Sequence, residues 1–164
     1  MNRKATPVPK GNLAPSSKET ALSVGPLIGR VRVVLLSALD RELLPFGVTG
    51  MQFAVLKNLA DHTADTAADL SRAMHYDTGS MTRMVDRLEH KGLIRRERSK
   101  DDRRVVSLRL TSAGRAALPR LWDTAGAVLE RMLEGFLGSE IDDLRSYLSR
   151  MIANGQAVMD TKDD

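Results

Sequence analysis

The sequence predicts a mainly α-helical fold with one small β-hairpin, and three observations support this prediction. Apolar residues recur at steps of three and four along most of the chain, which is the period of an amphipathic helix. Between residues 94 and 110 the period changes to two, as in a half-buried strand. Hydroxyl or carboxylate residues precede several of the helical stripes, where they can cap helix starts.

The N-terminal region divides into a tail and a first helix. Residues 1–20 contain prolines, serines and scattered lysines without an apolar core, which predicts a flexible tail rather than a signal peptide. The first helix is expected to begin near Pro26 with Ser23 as its cap, because proline is tolerated in a first helical turn. Pro45 and Gly47 predict its end.

Capping boxes are predicted at the start of the next two helices. Thr49 is followed three residues later by Gln52, so that each side chain can bond the other residue's backbone amide. Thr66 and Asp69 repeat this spacing at the start of a short third helix. The apolar inner face of that short helix is predicted to hold Leu70, Ala73 and Met74.

A fourth helix follows a turn at residues 76–78. Either Asp77 or Thr78 can cap it, and Gly92 can adopt the left-handed conformation that ends it. Its inward stripe, at steps of three and four, is predicted to hold Met81, Met84, Val85 and Leu88.

The hairpin is predicted from alternating apolar residues. Val106, Leu108 and Leu110 share one face, and residues 94–98 form a plausible partner strand. Residues 99–102 are expected to form the polar tip.

Two further helices complete the chain. Thr111 is expected to cap a long helix that Pro119 should bend or deprive of one backbone bond. Gly138 and Ser139 are expected to break the chain, and Ser139 with Asp142 to start the last helix. The first and last helices carry more apolar surface than a small central lobe can cover, which favours a homodimer over folding back on the same chain.

Composition excludes several classes of function. The chain has no cysteine, so disulfides, thiol catalysis and cysteine-based metal sites are excluded. No nucleotide-binding glycine loop, nucleophile elbow or metalloprotease motif is present, so we expect neither an enzyme nor a cofactor. No segment was expected to be apolar over the 18 to 20 residues that cross a bilayer, which predicts a cytoplasmic protein. The histidines are scattered and predict no metal site: His62, His75 and His90.

Positive charge is concentrated in one segment. Residues 71–104 contain ten Lys or Arg and six Asp or Glu, which accounts for the whole chain's net charge of +4. Concentrated positive charge indicates a polyanionic partner, although a solvated charged face has the same composition.

The fourth helix offers a candidate surface for double-stranded DNA. Small hydroxyl side chains near its N-terminus allow close approach to base edges, and arginine can pair in fork fashion with guanine or phosphate. A plain solvated helix face remains the alternative for any one residue. The face opposite the apolar stripe holds Thr78, Ser80, Thr82, Arg83 and Arg87.

The hairpin tip offers a second candidate surface. An Asp–Arg pair can hold the loop in shape while another arginine enters the minor groove, where negative potential is concentrated. A solvated charged turn is the alternative. The candidate residues at this tip are Lys100, Asp102, Arg103 and Arg104.

Three motifs in sequence order resemble the MarR family of bacterial transcription regulators. Residues 102–114, DRRVVSLRLTSAG, resemble the family's wing and the start of the following helix. Residues 80–93, SMTRMVDRLEHKGL, resemble its recognition helix, and residues 43–56 its junction of first and second helices. The resemblance covers roughly residues 25 to 155.

This resemblance implies a winged helix-turn-helix homodimer. It implies a single domain over 21–160, with dimerisation helices in 21–46 and 112–160 and a DNA-binding lobe in 49–111. Family members usually occlude pseudo-palindromic operators until a small aromatic or phenolic ligand releases them. The alternative is a winged-helix protein-interaction module without specific DNA binding. Candidate ligand-binding residues, each of which could equally be core, are Phe46, Met51, Phe53 and Trp122.

Overall fold

The computed structural model describes residues 18–98 and 106–160, which form six helices, a short 3-10 turn and one antiparallel hairpin. The predicted mainly α fold with a single hairpin is confirmed. The elements in chain order are α1 (Lys18–Leu43), the 3-10 turn (Leu44–Phe46), α2 (Gly50–Ala60), α3 (Ala67–Ala73), α4 (Thr78–His90), β1 (Ile94–Arg98), β2 (Val106–Leu110), α5 (Ser112–Met132) and α6 (Gly138–Asp160).

Helix α1 is longer than the sequence predicts. It begins at Lys18, so Ser23 and Pro26 lie inside it and the predicted cap at Ser23 is wrong. The last three residues assigned to the tail are therefore helical. A proline inside a helix removes one backbone hydrogen bond, and the apolar residues on both sides of Pro26 continue the helical pattern across this loss. The end is as predicted, since Gly47 takes a left-handed φ of 66° after the 3-10 turn.

The segment Leu22–Phe46 is long and apolar enough to cross a bilayer, judged by length and composition alone. The expectation that no segment reaches this threshold is therefore wrong. Leucines and valines lie on every face of this helix, which raises its hydropathy although few of its residues are buried. A helix that associates with other helices has the same composition, so this single segment is weak evidence for a membrane.

The capping signals of α2, α3 and α4 are confirmed. Thr49 accepts a hydrogen bond from the Gln52 amide at 3.2 Å, and Gln52 accepts one from the Thr49 amide at 3.2 Å. Thr66 and Asp69 make the same reciprocal pair. Of the two candidates for α4, Asp77 is the cap, and its carboxylate accepts a bond from the Ser80 amide. These bonds satisfy amides that a helix start leaves unpaired.

A hydrophobic core joins α2, α3, α4, the hairpin and the inner faces of α1 and α5, and we call residues 49–111 the central lobe. Leu56, Leu70 and Leu88 are completely buried in it. The predicted stripe of α4 is confirmed, with Met84 only half-buried. On α3, Met74 is half-buried but Ala73 is exposed, because a two-turn helix turns only Leu70 fully inward.

The two predicted strands pair with each other as an antiparallel hairpin. Ile94 lies opposite Leu110, and Arg98 lies opposite Val106. Leu108 and Leu110 are buried, whereas Val106 is exposed, so the apolar face is shorter than predicted. The backbone amide of Leu108 also donates to the carbonyl of Asp65 at 2.7 Å, which ties β2 to the segment before α3. The predicted tip, residues 99–102, lies outside the described residues.

Helix α5 runs unbroken through Pro119 and is capped by Thr111 as predicted. The chain then turns at residues 133–135, where Gly135 has a φ of 87°, rather than at Gly138. Helix α6 begins at Gly138, and the Glu140 carboxylate accepts a bond from the Leu137 amide at 2.8 Å. The predicted cap by Ser139 and Asp142 is therefore wrong, because a carboxylate three residues after Leu137 already satisfies that helix start.

Candidate nucleic-acid interface

Helix α4 is anchored at both ends, so its outer face has a defined orientation. At the N-terminus, the hydrogen bond from the Ser80 amide lowers the pKa of Asp77, with help from the nearby Arg83 charge. At the C-terminus, Gly92 has a φ of 68°, and the Leu93 amide donates to the Leu88 carbonyl at 3.0 Å. This is the Schellman ending that the Lys91-Gly92-Leu93 sequence predicts.

The predicted outer face of α4 is turned to solvent. Thr78, Thr82, Arg83 and Arg87 are exposed and Ser80 is half-buried, while Met81, Val85 and Leu88 are buried beneath them. The Arg83 guanidinium donates to the Ser80 hydroxyl at 2.8 Å, and the Thr82 hydroxyl donates to the Thr78 carbonyl at 2.9 Å. The two arginines lie one turn apart, so both can reach the same strand of a polyanion.

Not every arginine in the basic segment is available to a partner. Arg96 on β1 forms ion pairs with two acids of α4, Asp86 at 2.6 Å and Glu89. Its backbone amide also donates to Glu89 at 3.0 Å. The hydrogen bond to Asp86, followed by that to Glu89, raises the pKa of Arg96. These ion pairs join β1 to α4.

Local pairing reduces the effective charge further. Arg95 pairs with Glu97 at 2.5 Å, and Arg72 pairs with Asp69. Within the ranges 18–98 and 106–160, Arg87 forms no ion pair. Composition does not distinguish these paired arginines from unpaired ones, and no spacing in the sequence predicted the Arg96 pairs, because Arg96 and its two partners lie on different elements.

The predicted tip residues Lys100, Asp102, Arg103 and Arg104 lie outside the described residues. Of the two strands that flank these residues, β1 follows α4 directly and contacts it, and β2 pairs with β1. The hairpin therefore projects from the same lobe as the exposed face of α4.

The candidate ligand-binding residues are only partly brought together. Phe53 is buried, and its ring meets Trp122 edge to face with centroids 6.1 Å apart. The Lys57 ammonium lies 4.9 Å from the Trp122 ring. Phe46 is half-buried and lies 5.0 Å from the Arg120 guanidinium, and Met51 is half-buried on α2. The Phe53–Trp122 contact is typical of packing between α2 and α5.

Comparison with known proteins agrees with this arrangement of elements. The model of the MarR family matches residues 48–106. The multiple antibiotic resistance protein MarR of Escherichia coli K12 is 29% identical over 132 residues, covering 80% of this chain and 92% of MarR. The HTH-type transcriptional repressor MdtR of Bacillus subtilis 168 is 31% identical over 119 residues, covering 73% of this chain and 74% of MdtR.

Solved structures show the same relationship. A mutant E. coli MarR complexed with operator DNA has a TM-score of 0.73 and 27% identity, covering 80% of this chain and 94% of that chain. CouR from Rhodococcus jostii RHA1 bound to p-coumaroyl-CoA has a TM-score of 0.70 and 25% identity, covering 78% and 90%. The fold, the motif order and these relatives agree, and this chain therefore belongs to the MarR family of winged-helix transcriptional regulators.

Proposed function

We propose that the chain acts as a homodimer that binds a pseudo-palindromic operator and represses transcription by occluding it. The observation that carries this proposal is the outer face of α4, where hydroxyl and arginine side chains are exposed above a buried apolar stripe. A helix of this kind can lie in the major groove with its N-terminal residues at the base edges. The structure of a mutant E. coli MarR complexed with operator DNA supports operator binding here.

The terminal helices α1 and α6 support the dimer. Leu27 and Val31 on α1 are 59% and 57% exposed, and Ile152 and Val158 on α6 are 59% and 63% exposed. An apolar surface of this extent is unfavourable in water, and a second copy of the chain can cover it. We assign dimerisation to residues 21–46 and 112–160 and DNA binding to 49–111.

In the proposed complex, the two copies of α4 enter successive major grooves about 34 Å apart. Ser80 and Thr82 would contact bases, while Arg83 and Arg87 would contact guanine or phosphate. The tip residues would reach the flanking minor groove. They are Lys100, Asp102, Arg103 and Arg104.

We also propose that a small aromatic or phenolic ligand regulates DNA binding. CouR, which is bound to p-coumaroyl-CoA, gives a precedent in a relative. A cavity of about 390 Å³ lies between α2, β2 and α5, with Leu59 and Leu118 on its apolar wall and Arg109 and Arg115 beside it. Such a lining suits an aromatic acid. Phe46, Met51, Phe53 and Trp122 remain the second candidate set.

The alternative function is protein binding by a winged-helix module without specific DNA recognition. Salt dependence distinguishes the two, because each neutralised phosphate releases counterions and steepens the fall of affinity with salt. We expect a steep salt dependence, no catalytic activity and a cytoplasmic location.

Selection of bound duplexes from a random DNA pool tests the proposal. We expect a palindrome whose half-sites are separated by about one helical turn. Arg87→Ala and Arg104→Ala should each weaken binding by about 1–3 kcal/mol, whereas Ser80→Ala or Thr82→Ala should change base preference. Arg145→Ala on the exposed surface of α6 is the control for charge loss. Recovery of no sequence, with a flat salt response, would favour the protein-binding alternative.

A further inference from the structure

A buried glutamine and a lysine connect three elements at one point. Gln52 on α2 is the one polar residue found buried within the described ranges, 18–98 and 106–160. Its Oε1 accepts bonds from the Thr49 amide at 3.2 Å and from the Lys91 ammonium at 2.8 Å. Lys91 also donates to the Gly47 carbonyl at 2.5 Å. We call Lys91, Gln52 and Gly47 together the Lys91 link.

The Lys91 link connects the C-terminal end of α4 to the rest of the lobe. Lys91 is the C-cap of α4, so its side chain extends from the end of the recognition helix. Gly47 ends the 3-10 turn that connects α1 to α2. One side chain therefore joins α4 to the 3-10 turn at the end of α1, across 44 residues of sequence.

Hydrogen bonds from Lys91 add to the packing of this 3-10 turn. A cavity of about 490 Å³ lies against the 3-10 turn and is bordered by Leu44, Val48 and Lys91. Leu43 and Val48, on either side of the turn, are buried, whereas Leu44 within it is 73% exposed, so core packing holds the turn from one side only. Charged-to-neutral hydrogen bonds contribute more than neutral ones, and two acceptors at set positions restrict the ammonium. No acid in the described ranges pairs with Lys91, so the link depends on geometry rather than on charge neutralisation.

The start of α2 is tied to α1 independently. The Gly50 amide donates to the Asp40 carboxylate at 2.7 Å. A Cβ on Gly50 would lie 2.9 Å from the Leu39 Cβ, so the two helices approach closely there. Helix α4 packs mainly against α3 and β1, so the Lys91 link gives its C-terminal end a direct hydrogen-bonded connection to α2 and to the turn after α1.

We propose that Lys91 is a positioning residue that sets the angle between α4 and α1, and hence the separation of the two recognition helices in the dimer. This inference rests on the proposed dimer, in which α1 belongs to the shared interface. Lys91 would act through Gln52 and Gly47 and would not contact DNA itself.

Spin-label distances test this geometry without DNA. The chain has no cysteine, so Thr82→Cys on the exposed face of α4 gives one nitroxide site per protomer. Pulsed electron paramagnetic resonance on the dimer should give one narrow inter-protomer distance. Adding Lys91→Met should broaden or displace that distance, whereas adding Arg72→Met, which removes one exposed charge from α3 in the same lobe, should not. Identical distance distributions in all three proteins would overturn the inference.

Affinity for operators of altered spacing gives a second readout. The probe is the selected palindrome with its spacer lengthened or shortened by one or two base pairs. Wild type should prefer one spacing by about tenfold or more, and Lys91→Met should reduce that preference to about threefold or less, with the salt slope unchanged. A uniform loss at every spacing with a shallower salt slope would mean a phosphate contact and would overturn the inference.

Two outcomes separate this inference from the proposed function. Wild-type protein that is monomeric or indifferent to spacing would overturn both. A wild-type preference that survives in Lys91→Met would overturn only the positioning role. Should Lys91→Met fail to fold, Lys91→Arg keeps the charge but moves the donors, and an unchanged spacing preference in that variant would contradict the inference.

Discussion

The central lobe buries its apolar residues, whereas the terminal helices α1 and α6 expose most of theirs. Leu56, Leu70 and Leu88 are completely buried within the lobe, whereas Leu27 on α1 and Ile152 on α6 are more than half exposed. The lobe therefore satisfies its own hydrophobic pattern within one chain. The terminal helices carry an equally regular apolar pattern that one chain leaves uncovered.

Side-chain caps occur in both regions, including that of Glu140 at the start of α6, but the regions differ in how much of each helix one chain covers. In the lobe, Thr49, Thr66 and Asp77 each cap a helix through side-chain bonds to nearby amides. Helix α1 instead continues through Pro26, and most of its outer half is exposed. Local bonds define the lobe's helices, while the terminal helices depend more on association. The following predictions test this difference, from the largest expected effect to the smallest.

Gly114→Ala should cause the largest loss of stability, because α5 meets the lobe at this residue. A Cβ there would lie 2.0 Å from the carbonyl oxygen of Leu93, which is backbone and cannot rotate away. We expect a loss of about 4 kcal/mol or more in the free energy of unfolding, measured by urea denaturation. Gly126→Ala, in the same helix with nothing within 4 Å, is the matched control and should be neutral or stabilising. Equal stability of the two variants would contradict the packing seen at Gly114.

Leu88→Ala should destabilise the lobe by about 3 kcal/mol, because a completely buried leucine leaves a cavity. The loss should be the same at low and high protein concentration, since the residue packs within one chain. Urea midpoints at several concentrations measure this, with Leu137→Ala, an exposed position, as the control. A strong concentration dependence of the loss would show that the lobe is not self-sufficient.

Ile152→Asp should weaken self-association by about tenfold to a hundredfold, or roughly 1.4–3 kcal/mol, because it places a charge in the proposed dimer interface. Sedimentation equilibrium measures the association constant, and Asn154→Asp, which places the same charge at an exposed position on the opposite side of the helix, is the control. The lobe should keep its α-helical signal and its core packing. Unchanged association would remove α6 from the interface.

Asp77→Asn should have the smallest effect and should appear only in the pH dependence of stability. Hydrogen bonds from Ser80 lower the pKa of Asp77 below its ordinary value of 3.8. Its stabilising contribution is therefore present above that value and is lost as the pH falls through the lowered pKa. Asparagine caps a helix comparably at every pH, so the stability difference between wild type and variant should shrink below about pH 4. A difference that stays constant down to pH 2 would contradict the role of the carboxylate.

Local sequence signals predicted most of the lobe correctly. The capping boxes at Thr49 and Thr66 and the left-handed Gly92 each involve residues within five positions of one another. Such interactions depend on local backbone geometry, which is the same in any helix whatever its tertiary surroundings. The exposed face of α4 followed for the same reason, because a buried stripe at helical spacing fixes which residues remain outside.

The sequence signals for helix starts were wrong at the two terminal helices, α1 and α6. Ser23 and Pro26 suggested a helix start, yet the helical pattern on either side carries α1 back to Lys18. At α6, Glu140 rather than Asp142 provides the carboxylate at the helix start, and the turn before it comes earlier, with Gly135 in a left-handed conformation. The first error misplaced the start of α1 by about two helical turns, from near Pro26 to Lys18, and the second misplaced the start of α6 by about one residue. Both left the element itself intact.

The amino-acid sequence alone determined the order of the elements, the caps of the lobe and the identity of the outward face of α4, because these depend on contacts within a few residues. Only the tertiary structure decided which charges remain available. Arg96 is held by Asp86 and Glu89, and Lys91 reaches Gly47 from 44 positions away. Such partners meet only after the hydrophobic core has brought separate elements together, so no local spacing specifies them.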